Sequence, residues 1–433
     1  MKNLKFSDVS KFINDKVELS NLQNEQYIST ENMLPNYGGI VEIDKLPKIE
    51  KCNKFKQGDI LFSNIRTYFK KVWVAEFSGG CSPDVLIIRS KDESIVRTSY
   101  LYLLICSDDF INFTVASSNG AKMPRGDKNA IKNYIFNIPD IAFQDKAINT
   151  YFRFKKKITL NTQTNQTLEQ IAQAIFKHWF IDFAPVHAKA NALASGASPE
   201  QAELAAMACL SGKTVEKITA LKTQDPTAYH QLQRTARAFP SEFVETEMGL
   251  VPKGWEVKQV KDLAKFVKGK KPKILSEAPN KNLLPYITMA TLSDKNNSFA
   301  DPQGMITSDK LDILISMDGA AGNISIGHKG IVGSTFAKIE LINNKLIPYF
   351  YQFMKNKEED IKSNTTGTSV PHTDKERVLN YFIAMPNNIL IDNFSKLYLD
   401  ILEKILLYKV ENKTLENTRN TLLPKLLSGE IEL

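Results

Sequence analysis

The sequence has little cysteine, and its spacing excludes two kinds of small domain. The chain of 433 residues contains four cysteines, none of them in a CxxC pair. They are Cys52, Cys81, Cys106 and Cys209. Zinc clusters and disulfide frameworks both need closely spaced cysteines. We therefore expect reduced cysteines packed in the interior, and no metal site.

Long apolar runs are missing as well. The longest, SYLYLLIC at residues 99–106, is far shorter than the roughly 20 residues of a membrane helix. The N-terminal MKNLKFSDVS lacks the apolar centre of a secretory signal. The hydrophobic fraction of 42% and the charged fraction of 24% are those of a globular protein. We predict a soluble cytoplasmic protein without a membrane association.

Recognisable catalytic motifs are also absent. SGKT at residues 211–214 resembles the end of a phosphate-binding loop, but the first glycine of that motif would fall at Met207. We interpret SGKT as a helix-terminating turn. The chain has no GxGxxG and no Asn/Asp-Pro-Pro-aromatic tetrapeptide of amino-methyltransferases, and its Pro-Asp dipeptides at Pro83 and Pro139 lack the acidic-x-Lys pair of metal-dependent nucleases. The histidines without ligand spacing are His178, His187, His230, His328 and His372. We expect no catalytic residue and no cofactor bound by this chain.

What the sequence does contain is a copy of part of itself. SNGAKMPRGDKNAIKNYIFNIP, from Ser118, returns as TTGTSVPHTDKERVLNYFIAMP, from Thr365, at an offset of 247 positions (365 − 118). The identical pairs are Gly120/Gly367, Pro124/Pro371, Asp127/Asp374, Lys128/Lys375, Asn133/Asn380, Tyr134/Tyr381 and Pro139/Pro386. Solenoid repeats recur every 20 to 50 residues or so. A period this long indicates a duplicated domain.

Each copy has the pattern of an α+β domain followed by a helix. Short β-branched runs such as DILFS and DVLIIRS alternate with Gly, Asn and Pro turns. KDLAKFVKGK in the second copy matches SDVSKFINDK in the first, and LDILIS matches GDILFS. We predict a first domain at residues 1–142, a helix at 143–183, an Ala-rich connector of short helices at 184–250, a second domain at 251–389 and a second helix at 390–433.

The two predicted helices carry apolar residues three and four apart, which is the pattern of a coiled coil. The predicted seam comprises Tyr151, Phe154, Ile158, Asn165, Leu168, Ile175 and Trp179 in the first helix, and Tyr398, Ile401, Ile405, Asn412, Leu415 and Leu422 in the second. We expect antiparallel helices packed on each other, a domain at each end, and an approximate two-fold axis. Alternatively, each seam faces its own domain. Pro424 and Gly429 are predicted to end the second helix.

The net charge of +8 is concentrated in two stretches, one in each copy. Residues 51–71 carry six basic side chains against Asp59, and residues 253–273 carry eight lysines against Glu256 and Asp262. Basic residues clustered in a domain are typical of nucleic-acid binding, although a solvated lysine face has the same composition.

Three segments closely resemble the conserved regions of specificity (S) subunits of type I restriction-modification systems. They are LEQIAQAIFKHWFIDFAPVHAK from Leu168, MGLVPKGWEVKQVKDLAKFVKGK from Met248 and LENTRNTLLPKLLSGEI from Leu415. The resemblance implies two target-recognition domains, each reading one half of a split double-stranded DNA target. It also implies two methylation (M) subunits that methylate adenine, and restriction (R) subunits that cleave foreign DNA. S-adenosylmethionine, ATP and Mg²⁺ are then expected on those partners.

Two other functions fit parts of the sequence. A non-enzymatic coiled-coil scaffold could use duplicated domains to bind proteins or another polyanion. A methyltransferase with fused recognition domains is disfavoured by the missing cofactor and catalytic motifs. Sequence-selective, salt-dependent DNA binding separates the first alternative from an S subunit.

We expect the divergent loops between the shared segments to contact DNA. The predicted DNA-binding residues are Asn64, Arg66, Tyr68, Lys70, Lys71, Lys122 and Arg125 in the first domain, and Lys270, Lys271, Lys273, Asn323, His328, Lys329, Ser369 and His372 in the second. A second apolar edge of the first helix, Ile171, Phe176 and Phe180, is predicted to bind an M subunit. The alternative is that the neighbouring domain buries this edge.

Overall fold

A computed structural model describes residues 1–43, 45–120, 122–292, 298–367 and 369–428. The chain forms two compact units, Met1–Asn161 with Val410–Leu433, and Thr162–Lys409. Both unit boundaries fall within long helices, so each of those helices contributes to both units. Within the described ranges, no helix is long and apolar enough to span a membrane.

The first unit combines small sheets with short helices. Its strands are β1 Lys2–Lys5, β2 Ser10–Ile13, β3 Lys16–Glu18, β4 Tyr27–Ile28, β5 Lys51–Phe55, β6 Ile60–Ser63, β7 Val72–Val74, β8 Gly79–Cys81, β9 Val85–Ser90 and β10 Ile135–Ile138. Its helices are α1 Phe6–Val9, α2 Thr98–Ile105, α3 Asp108–Ala116, α4 Lys128–Asn133 and the first part of α5 Ile141–Phe180, with 3₁₀ turns at Leu19–Asn21, Asn24–Gln26 and Thr67–Phe69. The sheets have the orders β1-β10, β2-β9-β6-β7 and β3-β5-β8-β4.

The second unit begins with the rest of α5 and the connector, and then repeats the first. The connector helices are α6 Ala184–Ala194, α7 Pro199–Ser211, α8 Val215–Gln224 and α9 Pro226–Ala238. The following strands are β11 Phe243–Thr246, β12 Gly249–Pro252, β13 Glu256–Gln259, β14 Ala264–Lys268, β15 Leu284–Ile287, β16 Phe299–Ala300, β17 Thr307–Ser308, β18 Ile313–Ser316, β19 Ile324–Ser325, β20 Gly330–Val332, β21 Phe336–Leu341 and β22 Phe382–Met385. The remaining helices are α10 Val260–Leu263, α11 Met289–Leu292, α12 Ile347–Asn356, α13 Glu358–Ser363, α14 Lys375–Leu379 and the first part of α15 Asn388–Ser428, whose last part belongs to the first unit, with a 3₁₀ turn at Asn344–Leu346.

Two of the sheets in each unit have matching topology. The order β2-β9-β6-β7 corresponds to β14-β21-β18-β19, and the antiparallel pair β1-β10 corresponds to β13-β22. Each unit also contains a parallel pair, β4 with β8 and β15 with β20, among otherwise antiparallel pairings. The predicted α+β class and the duplication are therefore confirmed in the fold.

Residues that recur in the sequence perform the same local task in both units. Asp8 accepts a hydrogen bond from the backbone N–H of Lys5 at 3.1 Å, and Asp262 accepts one from Gln259 at 3.0 Å. Gly120 and Gly367 both have a left-handed backbone, with φ of 102° and 90°, which glycine adopts without a steric penalty. The repeated sequence thus fixes helix starts and turns.

The two long helices pack antiparallel within each unit. In the first unit, Asn161 donates to Asn412 Oδ1 at 2.9 Å, and Asn412 donates to the Ile158 carbonyl at 3.4 Å. In the second unit, Asn165 donates to the Ile405 carbonyl at 3.2 Å. The Asn412 and Asn165 contacts are related by the offset of 247. Every predicted seam residue is at least partly buried.

The end of the second helix differs from the prediction. α15 continues through Pro424 to Ser428, and Gly429 lies outside the described residues. A proline removes one helical N–H and crowds the preceding turn. Leu422, Leu423 and Leu426 lie on both sides of Pro424 and pack into the core of the first unit. We infer that this packing keeps the residues around the proline helical.

The Ala-rich connector forms a small helical bundle in the second unit. Ala206, Met207, Ile218 and Tyr229 are buried together between its helices. The SGKT segment is confirmed as a helix-terminating turn, because α7 ends at Ser211 and Gly212 follows with φ of 63°. Left-handed glycine is a common helix C-cap.

Candidate nucleic-acid interface

Hydrogen bonds join two loops of the first unit, at residues 64–71 and 118–126. The backbone N–H of Arg66 donates to the Pro124 carbonyl at 2.8 Å. Asn64 is buried, and its Nδ2 donates to the Gly126 carbonyl at 3.1 Å. A Cβ at Gly126 would lie 2.8 Å from Asn64 Oδ1, so the glycine permits this approach. Asn64 therefore holds the loops together, and its predicted role as a DNA contact is wrong because its side chain is not accessible.

The basic residues of these loops differ in how they are held. Arg66 donates from Nη2 to the Lys122 carbonyl at 3.3 Å, which leaves most of its guanidinium donors for a ligand. Lys70 pairs with Asp108 at 2.6 Å, and Arg125 pairs with Asp84 at 3.0 Å. Both are ion pairs of partly exposed side chains, and such pairs contribute little to stability. Their cations could therefore exchange a carboxylate for a phosphate or a base edge.

Lys71 is held more tightly than the sequence suggested. Its Nζ donates to the Thr30 carbonyl at 2.5 Å and lies 5.9 Å from the centre of the Phe69 ring. Burial lowers the pKa of Lys71 below its ordinary value. Lys71 therefore ties the loop to its neighbour. By contrast, Lys122 is exposed.

Two exposed aromatic rings lie between the basic residues of the first loop. Tyr68 is 47% exposed and Phe69 is 39% exposed, and their ring centres are 4.7 Å apart. Phe69 was not among the predicted residues, although it lies within the basic stretch that located this loop. Exposed aromatics beside cations are a common feature of nucleic-acid contacts.

The second unit joins its equivalent loops with different side chains. Asp318 and His372 form a backbone bridge, as Ile65 and Arg125 do in the first unit. His372 Nδ1 lies 2.7 Å from Asp318 Oδ1, and Lys268 Nζ lies 3.1 Å from Asp318 Oδ2. The carboxylate orients the imidazole, so its other nitrogen remains available for an external donor or acceptor. The sequence analysis identified His372 but missed Asp318 and Lys268.

The other predicted residues of the second unit fall into two groups. Asn323 and the exposed Ser369 belong to the two loops that Asp318 and His372 join, and the exposed lysines 270, 271 and 273 follow β14, which ends at Lys268. His328 and Lys329 lie instead between β19 and β20. There the His328 carbonyl accepts from Ser308, and Lys329 lies 3.9 Å from Asp309.

A family model described as the type I restriction modification DNA specificity domain matches residues 2–170 and again residues 252–417. The two matches coincide with the duplicated domains and the start of each long helix. This chain belongs to that family of specificity subunits.

Curated specificity subunits from two organisms are similar to this one. The HindI specificity subunit of Haemophilus influenzae is 33% identical over 99% of both chains. The MjaVIII specificity subunit of Methanocaldococcus jannaschii is 38% identical over 31% of this chain and 33% of its own. The crystal structure of an S subunit from M. genitalium has the same fold, with a TM-score of 0.54 at 16% identity over 98% of this chain and 95% of that one.

The predicted partner edge of this specificity subunit needs a correction. Phe176 is 1% exposed and Phe180 is 2% exposed. Phe176 packs against Tyr349 and Phe394, with ring centres 5.3 and 5.7 Å away. The second domain and the second helix therefore bury this edge, as the alternative prediction stated. Ile171 remains 44% exposed.

Proposed function

We propose that this specificity subunit recognises a bipartite double-stranded DNA sequence, with one half-site read by each duplicated domain. The observation that carries the proposal is the pair of equivalent loop joints, Ile65 with Arg125 and Asp318 with His372. Each joint presents basic side chains from loops whose sequences diverge. Phosphate contacts position a protein on DNA, and contacts to base edges specify the sequence.

Catalysis is assigned to partner subunits. We propose that M subunits bind S-adenosylmethionine and methylate adenine, that R subunits use ATP and Mg²⁺ to cleave DNA, and that this chain supplies the target. Burial raises the pKa of the thiols of Cys81 and Cys106 to about 12. Both therefore remain protonated at neutral pH, which is unsuited to nucleophilic catalysis.

Methylome sequencing tests the whole proposal. Cells that express this chain with its M subunits should acquire methylated adenine in one split motif, and cells that lack this chain should lose that motif. Purified complex should bind the motif in preference to scrambled duplexes, with affinity that falls as salt rises. Salt-dependent binding without sequence preference would instead indicate a polyanion scaffold. Binding of S-adenosylmethionine by the chain alone would indicate a methyltransferase.

The helices are proposed to set the gap between the half-sites. Four residues inserted after Asn165, with four more after Lys404, lengthen both antiparallel helices by about 6 Å while keeping the Asn165–Ile405 contact. The methylated motif should then keep both half-sites and gain about two base pairs between them, because duplex DNA rises about 3.4 Å per base pair. An unchanged gap in the methylome would mean that the helices do not determine it.

Three exposed apolar side chains on the helices of the second unit are the proposed M-subunit contact. They are Ile171 on α5 and Leu399 and Leu407 on α15. Ile171→Asp with Leu407→Asp should leave the chain folded but prevent co-purification with the M subunit. Exposed Val215→Asp, in the connector, is the control. Normal co-purification of the double variant would place the interface elsewhere.

A further inference from the structure

The turn at residues 66–70 in the first unit has a structural counterpart at residues 319–322 in the second. The backbone N–H of Gly319 donates to the Pro371 carbonyl at 3.0 Å, as Arg66 does to Pro124 at 2.8 Å. Pro124 and Pro371 are a matched pair in the repeated sequence. The two turns therefore begin from the same anchor.

The two turns also end at the same anchor. The N–H of Ser63, the last residue of β6, donates to the Lys71 carbonyl at 3.0 Å. The N–H of Ser316, the last residue of β18, donates to the Asn323 carbonyl at 2.9 Å. Each turn thus spans equivalent points of equivalent sheets, and the second is one residue shorter.

The backbone of both turns is left-handed at its two ends. In the second unit these positions are Gly319 and Gly322, with φ of 79° and 84°. In the first unit they are Arg66 and Lys70, with φ of 50° and 54°. Residues with a Cβ adopt this conformation only at a steric cost. The second unit avoids that cost with glycine, whereas the first places a cation at both positions.

The side chains between these positions differ in the same way. The first turn reads Arg-Thr-Tyr-Phe-Lys and exposes Tyr68 and Phe69, whereas the second reads Gly-Ala-Ala-Gly. Packing explains part of the small-residue composition of the second turn, since a Cβ at Gly322 would lie 3.0 Å from Ile361. The requirements of the fold alone do not explain the residue types of the first turn, because its exposed aromatic and basic side chains contribute little to the core of the unit.

We infer that the turn at residues 66–70 is the sequence-reading element of the first domain and that the second domain reads its half-site without side chains from the corresponding turn at residues 319–322. Arg66 contacts a base edge, and the rings of Tyr68 and Phe69 contact thymine methyl groups or exposed base faces. Reading by the second domain then falls to the loops that His372 and Asp318 join. This inference rests on the proposed function and adds a chemical difference between the two half-sites.

The test removes the side chains while keeping the backbone. The variant Arg66→Gly/Tyr68→Ala/Phe69→Ala/Lys70→Gly gives the first turn the composition of the second and retains buried Thr67. Glycine suits both left-handed positions, so thermal stability should be equal to or above that of the wild type. Lys213→Ala/Lys217→Ala, at exposed lysines of the connector, removes the same charge and serves as the control.

Binding is measured with the full chain in complex with its M subunits. The probes are duplexes that carry the methylome motif intact or with one half-site scrambled. The turn variant should lose about 10- to 100-fold of its discrimination at the first half-site and keep its discrimination at the second. The control should keep both.

Three results would overturn the inference. Full discrimination at both half-sites would do so, and equal weakening on every duplex with discrimination retained would make the turn a phosphate contact. A fall in melting temperature for Arg66→Gly or Lys70→Gly alone would assign those residues to the fold. If the wild-type complex prefers no split sequence, the proposed function fails instead.

Discussion

The two copies of the domain form the same joint between loops with different side chains. In the first, Arg125 pairs with Asp84 at 3.0 Å. In the second, His372 lies at the matching position and shares Asp318 with Lys268. The backbone bridges and the strands that position them are the same in both. The comparison teaches that the sheet frame fixes where the loops meet, while the loop side chains are free to differ in charge and hydrogen-bonding capacity.

The helix ends show a second difference between the copies, and it predicts the largest effect. Phe176 of the second unit is buried among aromatic rings, whereas its counterpart Leu423 is partly buried in the first unit. Phe176→Ala should destabilise the second unit by about 3–5 kcal/mol, because it leaves a large cavity, and Leu423→Ala should cost about 1–2 kcal/mol. Urea unfolding measures both.

Fluorescence can assign the transitions to units. In a Trp73→Phe background the remaining tryptophans, Trp179 and Trp255, both belong to the second unit. Their transition should shift in Phe176→Ala and stay in place in Leu423→Ala. Equal shifts in the two variants would mean that the units do not unfold separately, or that the aromatic cluster is less important than its burial indicates.

An aspartate pair should give an intermediate effect. Asp59 accepts from the N–H of Lys56 at 2.8 Å, as Asp312 does from Asp309 at 2.7 Å, so both fix the turn before an equivalent strand. Asp59 is 2% exposed and accepts two hydrogen bonds from Arg89, of 2.5 and 2.7 Å.

Replacing each aspartate by alanine isolates the contribution of its ion pair, because both variants lose the equivalent backbone hydrogen bond. Asp312 pairs with Lys338 at 2.7 Å, and both side chains of this ion pair are partly exposed. Asp59→Ala should cost about 3 kcal/mol, since it removes a carboxylate that is 2% exposed and leaves Arg89 without both of the hydrogen bonds that it donates to that carboxylate. Asp312→Ala should cost about 1 kcal/mol. Thermal or urea unfolding that ranked Asp312→Ala as the more harmful change would contradict this assignment.

Features set by short-range backbone requirements could be predicted from the sequence. Asp8, Asp262, Gly120 and Gly367 recur because a helix start needs an acceptor and a left-handed turn favours glycine. The repeated segments therefore located the duplicated domains. The family resemblance rested on the segments from Leu168, Met248 and Leu415, and the family match confirms it.

Features set by distant packing could not be predicted in the same way. Phe176 and Phe180 have the spacing of an exposed edge, and only the positions of Tyr349 and Phe394 decide that they are buried. In the sequence, Asn64 has the properties of an exposed polar loop residue, and only the close approach of Gly126 shows that it is buried. Asp318 has no signal of its own, because its importance comes from His372, which is 54 positions away.

The smallest expected effect concerns the pH dependence of the two joints. Burial raises the pKa of Asp318, but hydrogen bonds from His372 and Lys268 outweigh it, and the net pKa lies below the ordinary value. A carboxylate with a depressed folded pKa stabilises the fold above its unfolded pKa of about 3.9, and loses that contribution as the pH falls through the folded value.

Asp318→Asn should therefore lower stability at neutral pH by less than about 1 kcal/mol, with a difference from wild type that shrinks below about pH 4. Asp84→Asn is the matched variant of the first unit, and melting temperatures measured from about pH 3 to about pH 7, a range that spans the ordinary titration of a carboxyl group, compare the two. A wild-type advantage over Asp318→Asn that grew as the pH fell from about 4 to about 3 would contradict the assigned pairing of the carboxylate.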